Sequence, residues 1–256
     1  MSIIREGSRV PQKSGAGIVP VVIETLTQPR EAHVLAEVLS SVWGEPNMVP
    51  AEIIVAVMHT GGYASLARRA NEILGGSLAF IGSGGRNLHS HVTGVVDGAK
   101  NSGVGRELKQ HQWHWAKDNG FTSITWTFDP LVRRNAHFNL VSLGTVATSY
   151  YRDFYGQLAD LINAGQDTDR LLVEWRVGDL VAPPQGELCS PTSDDVLITT
   201  PDDIVALRRS NPDAARTARD TQRTEFETAF SNLRFVRGFT ADGSFVMSPS
   251  GSGGAK

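Results

Sequence analysis

The run Val95-Val96-Asp97-Gly98-Ala99-Lys100-Asn101-Ser102-Gly103-Val104-Gly105-Arg106-Glu107-Leu108 sets a glycine-rich turn between a β-branched segment and a helical pattern. Gly103 and Gly105 stand where that helix begins. Without side chains they let a ligand approach the backbone closely, and the first-turn N–H groups have no partner inside the helix. Such a helix start binds anions, most often phosphate or pyrophosphate. Upstream, His89 and His91 alternate with Ser90 and so share one face of their strand. Imidazole titrates near neutrality, so the pair can move protons or serve as hydrogen-bonded structural histidines.

Two phosphate-binding patterns fail at this turn. A P-loop ends in Gly-Lys-Ser/Thr, whereas Gly105 is followed by Arg106 and Glu107. A dinucleotide fingerprint needs a third glycine, and Leu108 occupies its place. His111, His114 and His137 lack partners at metal-ligand spacing, so no metal is expected.

The elements that must position these residues read as mixed α/β. A strand over Val21–Leu26 precedes helices over Pro29–Trp43 and Ala51–Met58, with Gly44 stopping the first. Strands follow over Ala64–Ala70, Ser77–Ile81 and Leu88–Val96, and the glycine turn opens a helix from Gly103 to Lys117. Alternation predicts a half-buried strand over Ser123–Phe128, with Trp126 and Phe128 in the core. A helix over Asn135–Leu143 and a strand over Thr145–Ser149 come next. Beyond Gly156, Leu171–Val177 and Asp195–Thr200 read as strands and Pro201–Arg209 and Ala218–Leu233 as helices. Phe235–Met247 reads as a hairpin turning at Asp242-Gly243. Residues 1–18 are expected to be flexible, 19–162 to form the core, 163–247 an α+β extension packed on it, and 248–256 a disordered tail.

Composition limits the partners. The 256 residues are 40% hydrophobic and 20% charged, an ordinary globular balance. A net charge of -3 gives no reason to expect nucleic acid. The single cysteine, Cys189, excludes an internal disulfide and suits a reducing compartment, and it reads as an inert side chain in a proline-rich loop. No apolar run reaches membrane-span length, and Met1 to Pro20 lacks a signal peptide's hydrophobic core, so a soluble cytoplasmic protein is expected.

Lys100-Asn101-Ser102-Gly103-Val104-Gly105 resembles the acyl-CoA loop of the GNAT acyltransferases, Gln/Arg-x-x-Gly-x-Gly/Ala after a strand and before a helix. Lys100 replaces the usual Gln or Arg, and Ser102 a frequent Arg. The resemblance runs from about Val21 to Arg152, and Asn135 to Gly144 looks like the family's second-half helix. Leu88 to Val95, Ile124 to Leu131 with Arg134-Asn135-Ala136, and Leu172 to Arg176 resemble a predicted-acetyltransferase branch.

The resemblance implies a mixed, mostly antiparallel sheet flanked by helices. It also implies transfer of an acyl group, acetyl by preference, from acetyl-CoA or another acyl-CoA to a primary amine of a small molecule. Lys100, Asn101, Ser102, Gly103, Val104 and Gly105 would hold the pyrophosphate, Val95 and Val96 would pair with the pantetheine arm, and Asn135, otherwise a helix N-cap, would bond the cofactor. His91 falls where several members place a carboxylate base. His89, Asp129 and Arg134 are secondary candidates for touching substrate, although Asp129 equally reads as the cap of the turn at Pro130. Leu140 stands where the family's tyrosine acid lies, which keeps a non-catalytic acyl-CoA-binding module open. N-succinyl transfer to an amino acid is a further alternative, and the extension could supply a lid, a sheet edge or a homodimer contact.

Overall fold

The computed structural model describes residues 19–156 and 167–250. The expected flexible N-terminus, the boundary at 162/163 and residues 251–256 of the expected tail lie outside them.

The chain runs β1 (Val22–Thr25), α1 (Pro29–Trp43), α2 (Ala51–His59), β2 (Tyr63–Arg69), β3 (Glu72–Ile81), β4 (Asn87–Val95), α3 (Val104–Asp118), β5 (Ser123–Phe128), α4 (Arg133–Ala136), β6 (Val146–Tyr151) and β7 (Arg170–Arg176). After these come β8 (Val196–Thr199), α5 (Ile204–Ser210), α6 (Pro212–Ser231), β9 (Arg234–Phe239) and β10 (Ser244–Pro249). Seven strands form one sheet in the order β1-β2-β3-β4-β5-β7-β6, and β8-β10-β9 form a second. Among the described residues only β4 and β5 pair in parallel, so the fold is the expected mixed, mostly antiparallel one.

Local chemistry sets α1 closely. Pro29 takes the first helical position, where a missing N–H costs nothing, and the Glu31 carboxylate accepts the N–H groups of Thr27 and Gln28. Gly44, at φ 67°, returns its N–H to Ser40 and ends the helix. The buried stripe Ala32, Leu35, Val38 and Leu39 packs with Ile54, Leu66, Leu78 and Val92, covering one face of β2–β4. On the other face Trp113 and Ala116 of α3 meet Ile124, Trp126 and Trp175.

Three expectations change. The strand expected over Leu171–Val177 in the extension is β7, and it lies inside the main sheet between β5 and β6. Its alternate residues Leu171, Val173 and Trp175 belong to the central core. The predicted helix Asn135–Leu143 splits into α4 and a π-helical stretch, His137–Ser142. Thr145 donates both its N–H and its hydroxyl to the Asn139 carbonyl, which draws that carbonyl away from regular helical pairing. Ser248 and Pro249, placed in the tail, complete β10.

The extension is joined to the core by apolar packing and buried ions. Phe226, Phe239, Phe245 and Met247 share the cluster of Trp126 and Trp175. Asp129, at the end of β5, receives Arg219 through two bonds of 2.9 and 2.7 Å and Arg208 at 2.6 Å. Arg223 grips Asp169 at 2.8 Å through two nitrogens, and Tyr150 donates to Asp169 at 2.6 Å.

Candidate functional site

β4 and β5 begin as neighbours and then part. Their pairing covers only Asn87–His89 against Ser123–Thr125. Side chains reinforce the join: Asn87 donates to Ser123 Oγ at 2.9 Å, and Thr125 Oγ1 donates to Asn87 Oδ1 at 3.0 Å. From Ser90 onward no strand pairs with this edge of β4 among the described residues, so a wedge opens toward the strands' carboxyl ends. Because the two strands are parallel, the glycine turn after β4 and α4 after β5 lie at that same end.

A β-bulge sits where the wedge opens. Leu78 pairs with Val92 and Ala79 with Ser90, which leaves His91 as the extra residue of β4. The slip lets Ser90 face α3 while Val92 packs with α1 and α2. His89 lies on the α1 side, opposite Phe80 in register, and the His91 ring packs 5.0 Å from the Phe80 ring. The two histidines therefore share a face, as their alternation predicts. Burial, and then the charge of Lys109, holds His89 below the ordinary imidazole pKa. The protein packed around His91, and then the neighbouring His89, do the same there. Both imidazoles are thus biased toward the neutral form that accepts a proton.

The glycine turn is built to leave donors unpaired. Asp97–Ala99 form a single helical turn, and Ser102 Oγ bonds back to the Ala99 carbonyl at 2.6 Å. Asn101 and Gly103 take positive φ, 61° and 92°, the left-handed backbone of a tight turn. The N–H groups of Asn101, Gly103, Val104 and Gly105 have no partner among the described residues. A Cβ built on Gly98 or Gly103 would meet nothing within 4 Å. Open space beside unpaired donors at a helix start suits an anion such as a pyrophosphate. Lys100 is exposed and ion-paired with Asp97.

Other predicted residues fall less simply. Val96 gives its N–H to Leu74 and accepts from Ala99, so its backbone is not free for a pantetheine arm. Strand alternation turns the N–H and C=O of Val95 toward the open edge instead. Asn135 is not an N-cap but lies inside α4, and its side chain has no partner among the described residues. Arg134 is exposed. Asp129 is 8% exposed and both its oxygens are occupied by arginines, so it joins the extension rather than facing a substrate. Burial opposes its ionisation, but Arg219 and then Arg208 outweigh that and hold it well below the carboxylate range.

Four further groups belong to this region of the fold. Lys109 of α3 is buried beneath the bulge, donates to Ser90 Oγ at 2.9 Å and to Gln112 Oε1 at 2.8 Å, and lies 3.5 Å from the centroid of the Trp126 ring. Burial holds its pKa well below that of a free lysine. Tyr155 brings its hydroxyl within 3.3 Å of Thr127 Oγ1, on the histidine face of β5. Glu174 stands directly across from Thr125, which stands across from His89. Arg176 follows two residues on, on the same face of β7. Only non-local pairing brings the last three to the histidine face of the sheet. Among the described residues there is no group of three His, Cys, Asp or Glu able to hold a metal ion, and no helix long and apolar enough to cross a membrane.

No protein-family model matches the chain, and no curated protein matches it in sequence. Its fold is nevertheless shared with solved proteins. The structure of yncA from Salmonella typhimurium, assigned as an acetyltransferase and solved with its cofactor acetyl-CoA, superposes with a TM-score of 0.52 at 13% identity, over 64% of this chain and 98% of its own. The ribosomal-protein-S18-alanine N-acetyltransferase of Escherichia coli superposes with a TM-score of 0.52 at 10% identity, over 63% of this chain and 96% of its own. The architecture is the GNAT acetyltransferase fold, with a C-terminal extension beyond the shared region.

Proposed function

We propose that the protein is an acyltransferase that moves an acyl group, acetyl by preference, from acyl-CoA to a primary amine of a small molecule. The observation that carries this reading is the wedge between β4 and β5 with four unpaired N–H groups at its mouth. Asn101, Gly103, Val104 and Gly105 would bind the pyrophosphate, each bond to a charged oxygen contributing about 1.5–3 kcal/mol. Val95 would pair with the pantetheine arm as an added strand. Lys100 contributes less than a free lysine, because Asp97 already pairs with it.

Bound acyl-CoA supplies an electrophilic thioester carbonyl. The amine must be neutral to attack it. His91 on the bulge, held below its usual pKa, is neutral at pH 7 and takes the amine's proton directly or through water. The N–C bond forms, the C–S bond breaks and the thiolate leaves. Leu140, 7% exposed, offers no proton at the family's tyrosine position. Tyr150 is no substitute, because burial and then Asp169 push its pKa up and its hydroxyl already serves that carboxylate. Tyr155, on the histidine face beside Thr127, is the phenol we assign to protonate the thiolate. Orienting amine and thioester in one cleft supplies much of the remaining rate.

The same donors would serve a module that binds acyl-CoA without turnover. Steady-state release of free CoA from acetyl-CoA over a panel of small amines separates the two. Amine-dependent release supports transfer, and stoichiometric binding with no release supports the module.

A further inference from the structure

The histidine face of the sheet continues beyond β5 into a second recess. Phe80, His89, Thr125, Glu174 and Val146 lie directly opposite one another across β3, β4, β5, β7 and β6. At the far end of this row Glu174 and Arg176 line a cleft of about 250 Å³ together with Val146, Leu180, Ala182 and Pro184. Among the described residues neither the Glu174 carboxylate nor the Arg176 guanidinium has a hydrogen-bond or ion-pair partner. Their Cα atoms are about 6.8 Å apart, the repeat of a strand, and Glu174 is about 10 Å from His89, two strand spacings. Two opposite charges on one strand face, unpaired and set against an apolar wall, form a frame for a ligand that carries both charges itself. The cleft is smaller than the ~300 Å³ at which drug-sized pockets begin, which limits that ligand to a small one.

We propose that this cleft is the acceptor subsite and that it takes a free apolar α-amino acid. Arg176 grips the carboxylate through its planar fork, Val146, Leu180, Ala182 and Pro184 receive the side chain, and Glu174 holds the ammonium above Thr125. Beyond Thr125 the same row continues to His89, two strand spacings from Glu174. The inference rests on the acyl-transfer reading for what happens next, but not for binding.

The test uses three probes on the full chain: L-leucine, L-leucinamide and 3-methylbutylamine, the last two lacking the carboxylate. Calorimetry with wild type, Arg176→Met and Glu174→Gln comes first, then CoA release with the same set. Wild type is expected to bind L-leucine about tenfold or more tighter than either analogue, and Arg176→Met to abolish that preference while leaving 3-methylbutylamine within about twofold. Glu174→Gln should weaken all three. Equal binding of the probes, no binding of L-leucine, or an unchanged leucine affinity in Arg176→Met overturns the assignment. If leucine binds with this dependence yet no CoA is released, the cleft stands and acyl transfer falls. If CoA is released but neither residue matters, transfer stands and the cleft falls.

Discussion

Lys109 Nζ donates to Ser90 Oγ at 2.9 Å, joining α3 to the bulged segment of β4 that carries His91. Burial depresses the Lys109 pKa, so between its native value and about 10.4 the unfolded chain holds a proton the native chain lacks. Stability therefore rises with pH across that window and is lowest below it. Urea unfolding of the wild type should show this climb toward pH 10, and Lys109→Met should flatten it. Parallel profiles would mean that the ammonium is not buried as described.

His91 should govern the acid side of turnover. With its pKa lowered by the packing around it and then by His89, the ascending limb of kcat/KM falls below about pH 6.5. His91→Asn should remove that limb and lower kcat by about 10²- to 10⁴-fold. His89→Asn should retain it. A limb unchanged in His91→Asn assigns the base elsewhere.

Tyr155→Phe removes one hydroxyl and its contact with Thr127. If that phenol protonates the leaving thiolate, kcat should fall about tenfold or more with KM nearly unchanged. The loss should disappear with a donor whose thiol leaves more readily, since such a group needs no acid. An equal loss with both donors would point to a purely structural role.

Asp129 belongs to stability rather than catalysis. Replacing it by alanine leaves Arg208 and Arg219 buried without their carboxylate, at a cost of about 3–5 kcal/mol. Because its folded pKa is depressed, its contribution is present above about pH 3.9 and is lost as pH falls toward the folded value. Acid unfolding of Asp129→Ala should therefore be shallower than wild type, and protease should cleave the extension first. A variant as stable as wild type would contradict the proposed attachment.

Local signals carried much of the fold. Pro29, the Ala32–Leu35–Leu39 stripe and Gly44 bound α1 at the residues the pattern predicts, and the turn before Val104 was legible from its glycines. Long-range pairing was not. The partners of Asp129, Arg208 and Arg219, are 79 and 90 residues away, and nothing near Asp129 announces them. The bulge at His91 is one residue of register, decided by Ser90 meeting Lys109 while Val92 meets α1. The alternation over Leu171–Val177 predicts β7 as a strand, but its place between β5 and β6 is topology. With that place unknown, Glu174 and Arg176 could not be set beside His89.

The glycine loop is the claim on which the rest depends, and Gly105→Asp tests it. A Cβ at Gly105 would lie 3.6 Å from Val95, an ordinary contact, and an acid in the first turn of α3 favours the helix, so the fold should hold. Its charge would stand among the donors of Asn101, Gly103 and Val104 and repel a pyrophosphate. Titrating acetyl-CoA into both proteins should give one-site binding to the wild type and at least about a tenfold loss in Gly105→Asp, with unfolding midpoints unchanged. Equal affinity in the two proteins, or no binding by the wild type, would contradict the account.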